Sequence, residues 1–292
     1  MKRFFLRLLL RLSNLNLLNW IPDSTYLRIL WRLKMDYPLI LDNPVTYNEK
    51  IQWLKLNDRN PLYSLLADKY AVRKYITDTI GSQYLVPLLS IYDCVNEIDW
   101  DNLPNQFVLK CNHDSGSKVI CKDKSTLDRQ VAIKKLSRRF KNNTTYNVLR
   151  EWPYRNIKRK ILCEKYLADE TGELPDYKFF CFHGVPKIML FVTERNSGNP
   201  KMDLFDMQFE RLNIQVRSYR NSNGKIEKPS GFEEMVKLAQ VLSKNIAHVR
   251  VDFYNIKGKI YFGEFTFFPG SGYLPFTPKG IDQLWGSWIN LW

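Results

Sequence analysis

The sequence predicts an α+β protein in which helices pack on mainly antiparallel sheets. First, helical patterns and short apolar runs alternate along its 292 residues without the regular rhythm of a parallel βαβ fold. Second, residues 249–273 form two apolar, aromatic-rich arms around a turn at 255–258, which is the pattern of a β-hairpin. Third, 45% of the residues are hydrophobic and 14% are aromatic, so the chain has the composition of a globular protein.

The first predicted element is a basic, amphipathic helical region that is broken at Pro22. Arg3, Arg7 and Arg11 recur every four residues and form one stripe beside phenylalanine and leucine side chains. This pattern is compatible with a helix that lies in the plane of an anionic membrane, bound through residues 1–20. The alternative is a helix that packs on the body of the protein with its basic face outward.

The next helix is predicted to begin at Thr46, because Thr46 and Glu49 have the spacing of a capping box. Later helical patterns cover residues 62–76, 127–140 and 232–244. The predicted strands are short apolar runs, which precede the hairpin at residues 85–92, 107–111, 118–121, 159–167, 177–182 and 187–192.

The excess of basic residues predicts an anionic partner. Lys and Arg total 44 against 30 Asp and Glu, which gives a formal net charge of +14. We expect no nucleic acid among the partners, because zinc-finger, RNP-type and helix-turn-helix patterns are lacking. The five cysteines form no CxxC motif and predict buried free thiols in a cytoplasmic protein. No stretch reaches the roughly 18 apolar residues of a membrane-spanning helix.

The hairpin carries one carboxylate in each arm, Asp252 and Glu264. Arg250 has the strand parity of Asp252, and Thr266 has that of Glu264, so one face could present all four side chains. Two carboxylates held close together require a cation or a proton between them. Oxygen ligands on a strand pair suit Mg²⁺, which usually takes one or two carboxylates plus nucleotide phosphates. Two solvent-facing charges on an amphipathic hairpin would produce the same alternation.

A second constellation follows the strand 107–111. Lys110 lies in this strand, which leads into the small-residue loop Asn112-His113-Asp114-Ser115-Gly116-Ser117. Such a loop between two strands lets backbone N–H groups approach phosphate, and Lys110 would add a point charge. The Walker pattern GxxxxGK[ST] and the pattern GxGxxG are both absent from it. A polar hairpin turn without a ligand fits the local pattern as well.

Two more polar strand segments follow, EKYL at 164–167 and DYKF at 176–179. The order of these pieces resembles the TupA-like branch of the ATP-grasp superfamily, which is associated with teichuronopeptide and other bacterial surface-polysaccharide loci. The resemblance covers roughly residues 40–275. It is carried by the motifs TYNEKIQWLKL, DRNPLY, ADKYAVR, FVLKCNHDSGS, EKYL, PDYKFFCF, RVDFYNI and FGEFTFFPGSG.

The resemblance implies a two-lobed ATP-grasp fold with a helical N-terminal region, and ATP held between the lobes. We expect four regions along the chain. They are a basic amphipathic helical region at 1–45, a helical region before the ATP-grasp lobes at 46–102, an N-lobe at 103–165 and a C-lobe at 166–292.

The resemblance also implies the residues that bind the nucleotide. Lys110 matches the phosphate-binding lysine, and Ser115, Gly116 and Ser117 match the loop over the phosphates. The hinge that contacts adenine corresponds to Glu164, Lys165, Tyr166 and Leu167. The ribose and phosphate contacts correspond to Asp176 and Lys178.

The hairpin residues match the metal and transfer site of the family. Asp252 and Glu264 correspond to the Mg²⁺ ligands, and Arg250 corresponds to a cation near the transferred phosphate or the acceptor. Relatives often have asparagine two residues after the second metal carboxylate, whereas this chain has Thr266, whose hydroxyl would take that place. Arg250 and Lys110 are therefore the expected catalytic residues. We expect Asp252→Asn to abolish turnover with little loss of fold.

The implied activity is that of a carboxylate–amine ligase that converts ATP to ADP and phosphate through an acylphosphate. The expected substrates are an acidic sugar, nucleotide sugar or polymer and an amino acid or amine. The expected location is the cytoplasm, with peripheral attachment at the inner face of the cell membrane. The alternatives are a glycosyltransferase of a polysaccharide locus, an ATP-grasp-fold kinase, and an inactive scaffold.

Overall fold

The computed structural model describes residues 1–194, 198–216 and 219–291. The chain divides into two compact units. Unit 1 is formed by residues 1–36, 59–75 and 86–167, and unit 2 is formed by residues 37–58, 76–85 and the chain from 168 onward. The four regions predicted along the chain stay a prediction.

The helices and strands follow the chain in a mixed order, which confirms the α+β class. The helices are α1 (Lys2–Asn14), α2 (Asp23–Met35), α3 (Tyr47–Asn57), α4 (Leu62–Ala67), α5 (Val72–Thr79), α6 (Arg129–Lys141), α7 (Thr144–Leu149), α8 (Phe232–Leu242) and α9 (Gly280–Ser287). The strands are β1 (Leu88–Tyr92), β2 (Phe107–Cys111), β3 (Val119–Cys121), β4 (Ile161–Lys165), β5 (Asp176–Phe182), β6 (Val185–Thr193), β7 (Lys201–Phe205), β8 (Arg211–Leu212), β9 (Gln215–Val216), β10 (His248–Ile256), β11 (Lys259–Thr266) and β12 (Phe276–Thr277).

Unit 1 contains a four-stranded antiparallel sheet in the order β1-β4-β2-β3. Burial alternates along β2, where Phe107, Leu109 and Cys111 are fully buried and the residues between them are half-buried. Helix α6 covers the buried face with Ala132 and Leu136. Because β2 has one packed face, Lys110 is turned to the opposite face of the sheet.

Unit 2 contains a six-stranded antiparallel sheet in the order β11-β10-β5-β6-β7-β8. Helix α8 packs on one face, where Phe232 meets Phe179 with ring centroids 6.0 Å apart. On the opposite face, Phe180 and Phe182 pack against Trp285 of α9. The charged residues of β5 and β10 share this second face, because they have the parity of Phe180 and Phe182.

The predicted start of α3 is confirmed. The Thr46 hydroxyl accepts a hydrogen bond from the Glu49 N–H at 3.2 Å, and the Glu49 carboxylate accepts one from the Thr46 N–H at 3.0 Å. These reciprocal bonds satisfy two N–H groups that the first turn of a helix leaves without partners.

The single helix predicted over residues 62–76 is wrong. The chain forms α4 and α5 instead, because the Asp68 carboxylate accepts hydrogen bonds from the N–H groups of Tyr70 and Ala71 at 2.8 and 3.3 Å. A short aspartate side chain that bonds to the following backbone competes with the helix. Among residues 1–194, 198–216 and 219–291, every helix is too short or too polar to cross a bilayer.

Candidate nucleotide and metal site

In unit 1, the half-buried Lys110 forms an ion pair with the buried Glu164. The Lys110 ammonium lies 2.7 Å from a Glu164 carboxylate oxygen, and the Arg73 guanidinium lies 3.7 Å from the other oxygen. Strand pairing explains the contact, since β2 and β4 place Val108 opposite Glu164. Burial lowers the pKa of Arg73 from its usual value, and Glu164 opposes that shift. Two cations therefore converge on one carboxylate, which leaves a net positive charge beside the loop.

The loop 112–117 is held at both ends by side chains of its own. Asn112 is fully buried, and its side-chain amide donates hydrogen bonds to Asp68 and to the Lys158 carbonyl, while its oxygen accepts one from the Lys160 N–H at 2.7 Å. At the other end, the buried Ser117 hydroxyl accepts a hydrogen bond from the Cys111 N–H at 2.9 Å. The ends are thereby fixed, and Ser117 supports the loop in this structure.

The tip of the loop is exposed at Ser115 and Gly116. Gly116 has φ +92°, a backbone conformation that side chains with a Cβ rarely adopt. The Arg139 guanidinium lies beside this tip, 3.5 Å from the position a Cβ on Gly116 would take, and 4.0 Å from an Asp114 oxygen. The tip thus combines accessible backbone with a nearby cation, which are the two features that phosphate binding needs.

The segment 164–167, which is predicted to contact adenine, lies at the end of β4. Glu164 directs its carboxylate to Lys110, and the Lys165 N–H donates to the Pro87 carbonyl at 2.9 Å, so that N–H is used within unit 1. Tyr166 and Leu167 follow the strand and are half-buried. The adenine contacts predicted for residues 164–167 stay a prediction.

In unit 2, Lys178 joins two carboxylates on the face opposite α8. Its ammonium lies 2.7 Å from Asp176 and 2.6 Å from Asp252. Asp252 is the most buried of the three, and the register of β10 and β5 places it directly opposite Lys178. Asp176 and Lys178 were predicted as ribose and phosphate contacts, and the structure connects them to the predicted metal ligand.

Arg250 binds the same aspartate from the other side. Its Nε and one terminal nitrogen donate to the two Asp252 oxygens at 2.7 and 2.6 Å, and that terminal nitrogen lies 3.6 Å from Glu264. Burial acts to lower the pKa of Arg250, but the carboxylates of Asp252, Glu264 and Asp176 outweigh it and raise the pKa above its usual value. Arg250 therefore stays charged at any pH at which the fold is stable.

The hairpin register brings the predicted metal ligands together. Asp252 is paired with Glu264, and Arg250 is paired with Thr266. Directly opposite residues of an antiparallel pair have Cβ atoms about 4.5–5.5 Å apart. We call Asp176, Lys178, Arg250, Asp252 and Glu264 the charge cluster.

A neutral pair of side chains supports β10 beside the charge cluster. The His248 ring donates from Nδ1 to the Cys181 carbonyl at 2.9 Å and accepts at Nε2 from the Tyr47 hydroxyl at 3.0 Å. Burial lowers the pKa of His248 to about 3, a shift that Arg250 reinforces and that the bond to Cys181 opposes. Helix α3, which carries Tyr47, is thereby tied to the strand that carries Arg250 and Asp252.

The donor set fits a hard divalent cation with few protein ligands. The charge cluster contains three carboxylates and two cations, so its formal charge is −1. In the described ranges, no group of three or more His, Cys, Asp or Glu side chains is positioned to hold a metal ion. Two carboxylates and the Thr266 hydroxyl, completed by water and phosphate oxygens, match what Mg²⁺ requires.

The sequence indicated no role for Arg73 or Arg139. Arg73 lies in the ADKYAVR motif, and the structure places its guanidinium beside Glu164. Arg139 lies in the last turn of α6, a position where a basic residue commonly complements the helix dipole. Neither position differs locally from an ordinary surface arginine.

Comparison with known proteins gives a family match over most of the chain. The family model described as TupA-like ATPgrasp matches residues 49–290. No curated protein matches the chain significantly.

Several solved structures resemble the chain, with low TM-scores. A D-alanine–D-alanine ligase from Helicobacter pylori is 15% identical, with 77% of this chain and 63% of that chain covered and a TM-score of 0.42. For a D-alanine–D-alanine ligase from Bacillus anthracis complexed with ATP, the identity is 15%, the coverages are 73% and 55%, and the TM-score is 0.39. A RimK domain ATP-grasp protein from Sphaerobacter thermophilus is 12% identical, with 80% and 70% covered and a TM-score of 0.41. The chain thus spans less than two thirds of the two ligases.

Proposed function

Because this chain belongs to the TupA-like ATP-grasp family, we propose that it is an ATP- and Mg²⁺-dependent ligase of bacterial surface-polysaccharide biosynthesis. It would activate a carboxylate of a sugar or polymer as an acylphosphate and join it to an amino acid or amine. ATP would be converted to ADP and phosphate.

The observation that carries this proposal is the cross-strand pair of Asp252 and Glu264. Chemistry of this type requires neutralisation of phosphate charge more than it requires a protein nucleophile. When bound, Mg²⁺ would supply that neutralisation, with Asp252, Glu264 and Thr266 as its protein ligands. Asp252 would then share its oxygens with the ion, and Lys178 and Arg250 would keep the site close to electrical balance.

Arg250 supports the assignment of phosphoryl transfer to this face. Its guanidinium is held by Asp252 at two points, so its planar fork has a defined direction. The remaining N–H groups would donate to the transferred phosphate or to the carboxylate that accepts it. A guanidinium in this role stabilises charge without taking up or releasing a proton.

The nucleotide contacts proposed for unit 1 centre on Lys110. Its ammonium now binds Glu164, and phosphate oxygens would compete with Glu164 for it. Arg73 already lies near Glu164 and would compensate that carboxylate when Lys110 turns to phosphate. Ser115, Gly116 and Ser117 would form the phosphate loop, and residues 164–167 would contribute the adenine contacts.

The proposed acceptor is acidic, because the chain carries a formal charge of +14. A uronic acid of a nucleotide sugar or polymer satisfies both the charge and the need for a carboxylate. Cys111, Cys121, Cys163 and Cys181 are buried and free, which supports a reducing cytoplasmic location. We place the enzyme at the inner face of the cell membrane.

Product analysis tests the proposed reaction and separates it from the alternatives. The enzyme is incubated with Mg·ATP, a uronic-acid oligosaccharide or nucleotide uronate, and a mixture of amino acids. The products are analysed by ³¹P NMR and mass spectrometry. We expect ADP, inorganic phosphate and an amide. A phosphorylated sugar would instead identify a kinase, and a nucleoside diphosphate released from a nucleotide sugar would identify a glycosyltransferase.

Asp252→Asn and Glu170→Gln provide matched variants for this assay. Asp252 belongs to the charge cluster, whereas Glu170 forms a surface ion pair with Lys257 at 3.3 Å. Amide formation should disappear in Asp252→Asn and persist in Glu170→Gln. Turnover of ATP that is equal in both variants would contradict the assignment of the metal site.

A further inference from the structure

The first helix of unit 1 exposes an apolar surface that the rest of the described chain does not cover. Phe4 is 66% exposed, and Phe5 and Leu8 are also exposed, although one side of an amphipathic helix normally buries such residues. Along α1, Ser13 is the residue that is buried. Helix α1 lies against α2 and α7 with Arg3, Arg7 and Arg11 outward, but Phe4 and Leu8 do not pack against the body of unit 1.

The exposed apolar surface continues into the turn after α1. Leu15 and Leu17 are exposed, and Trp20 is 80% exposed. The Trp20 ring nitrogen donates to the Leu17 carbonyl at 3.1 Å, so its one polar group is satisfied inside the turn. Tryptophan with an exposed ring is enriched where proteins meet the interface of a bilayer.

Basic residues accompany this apolar surface, and acidic residues do not. The first 22 residues contain Lys2, Arg3, Arg7 and Arg11 and no aspartate or glutamate. Lys2 pairs with Asp36. The three arginines are exposed and form no ion pair within the described part of the chain. An apolar strip flanked by unneutralised arginines is complementary to anionic lipid headgroups over an acyl core.

Buried contacts hold this surface in place on unit 1. The Ser13 hydroxyl lies 2.7 Å from the Tyr26 hydroxyl. Arg150 is buried, donates to the Leu18 carbonyl at 2.7 Å and to the Asn19 side chain at 2.9 Å, and stacks on the Tyr26 ring at 4.2 Å. The turn with Trp20 is therefore presented in a defined position rather than as a loose tail.

We propose that α1 and the following turn, through Phe4, Phe5, Leu8, Leu15, Leu17 and Trp20 together with Arg3, Arg7 and Arg11, form a docking surface for an anionic phospholipid bilayer. The proposal rests on the location at the inner membrane face proposed above. It names the side chains that enter the interface and those that contact the headgroups. Its test requires no nucleotide. Vesicle binding can therefore be absent in a protein that binds ATP, and present in a protein that does not.

The test is co-sedimentation of the full chain with vesicles of phosphatidylglycerol and phosphatidylcholine, compared with vesicles of phosphatidylcholine alone. We expect binding to the anionic vesicles that weakens as salt rises, because salt screens the arginines. Replacing all three arginines by glutamine should weaken binding about a hundredfold, since each basic residue near an anionic surface contributes about fivefold, or ~1 kcal/mol.

Two further variants separate lipid insertion from general charge. Phe4→Ser with Leu8→Ser leaves the charge unchanged and should weaken binding at least tenfold. The charge-matched control replaces Lys134, Arg138 and Lys225, which are exposed elsewhere, by glutamine and should bind nearly as well as the wild type.

Three results would overturn the proposal. The first is a lack of binding to anionic vesicles, and the second is an equal loss in the control and in the Arg3/Arg7/Arg11 variant. The third is a concentration-dependent oligomer that Phe4→Ser with Leu8→Ser dissociates while vesicle binding is absent. That result would make the surface an interface between copies of the chain. Measurement of ATP binding on the same samples shows whether the nucleotide site is intact.

Discussion

Replacement of Asp252 by asparagine should destabilise unit 2 as well as abolish turnover. The side chain accepts three charged hydrogen bonds at 2.6–2.7 Å, one from Lys178 and two from Arg250, and it is nearly inaccessible to solvent. Removal of one partner from a buried ion pair typically costs about 3–5 kcal/mol, because the remaining charges stay buried. Asparagine can still accept one hydrogen bond, so we expect about 3 kcal/mol. This destabilisation replaces the sequence-based expectation that Asp252→Asn causes little loss of fold.

Glu264→Gln is the matched comparison, since it removes the other proposed metal carboxylate. Glu264 is 32% exposed, and its contact with Arg250 is longer, at 3.6 Å. Pairs of this kind contribute up to about 1 kcal/mol. The two variants should therefore differ by about 2 kcal/mol in stability while both lose Mg²⁺-dependent turnover.

Urea unfolding in the absence of nucleotide measures this difference, with circular dichroism and tryptophan fluorescence as probes. Glu170→Gln serves as the control for a surface carboxylate and should unfold like the wild type. An Asp252→Asn protein as stable as Glu264→Gln would refute the reasoning. In that case the hydrogen bonds of Lys178 and Arg250 would contribute little to the fold.

Three more predictions follow from other parts of the structure. Lys110→Met should weaken ATP binding at least tenfold by calorimetry, because it removes the ammonium beside the loop 112–117; unchanged affinity would exclude Lys110 as a phosphate contact. The pKa of His248 is about 3 in the folded state and about 6.5 in the unfolded state, so the unfolded state binds more protons between pH 3 and pH 6.5. The free energy of unfolding is therefore highest above pH 6.5 and falls as the pH is lowered below that value. The free energy of unfolding should be about 2 kcal/mol lower at pH 5 than above pH 6.5, as measured by urea unfolding under the two conditions. His248→Gln should remove this pH dependence. Thr46→Ala should cost about 1 kcal/mol of stability through loss of the α3 cap, and an unchanged unfolding midpoint would show that the cap contributes nothing.

The parts of the fold that local patterns determine were predictable. The capping box at Thr46 and Glu49 marks the start of α3, because both of its hydrogen bonds form within four residues. The hairpin of β10 and β11 was predictable for the same reason, since alternation and a short turn are local features. Asp252 and Glu264 are consequently paired as the parity of their strands predicted.

Elements without a local signal were missed. Strands β8 and β9 contain two residues each, which is too short for alternation to be detected. Helix α9 begins at Gly280, and its N-cap residue Lys279 makes no side-chain cap hydrogen bond. Strand β9 pairs with β12 and helix α9 packs on α3, and these contacts with distant parts of unit 2 are not visible in the sequence.

The partners of the candidate site residues were also beyond prediction. Lys110 meets Glu164 only because β2 and β4 are neighbours in the sheet of unit 1, and strand order is a long-range property. Arg250 shares the face of Asp252, as the parity of their strand requires. Parity does not reveal that the Arg250 guanidinium donates hydrogen bonds to both oxygens of that carboxylate. For the same reason the motif containing Arg73 indicated no contact with Glu164.

Calorimetric titration with ATP, performed with and without Mg²⁺, tests the central claim most directly. The wild type should bind ATP, and Mg²⁺ should strengthen that binding. Asp252→Asn and Glu264→Gln should each lose the Mg²⁺-dependent increment but retain the binding that Lys110 supports without the metal. A wild-type protein that does not bind ATP, or variants that keep the full Mg²⁺-dependent increment, would contradict this account.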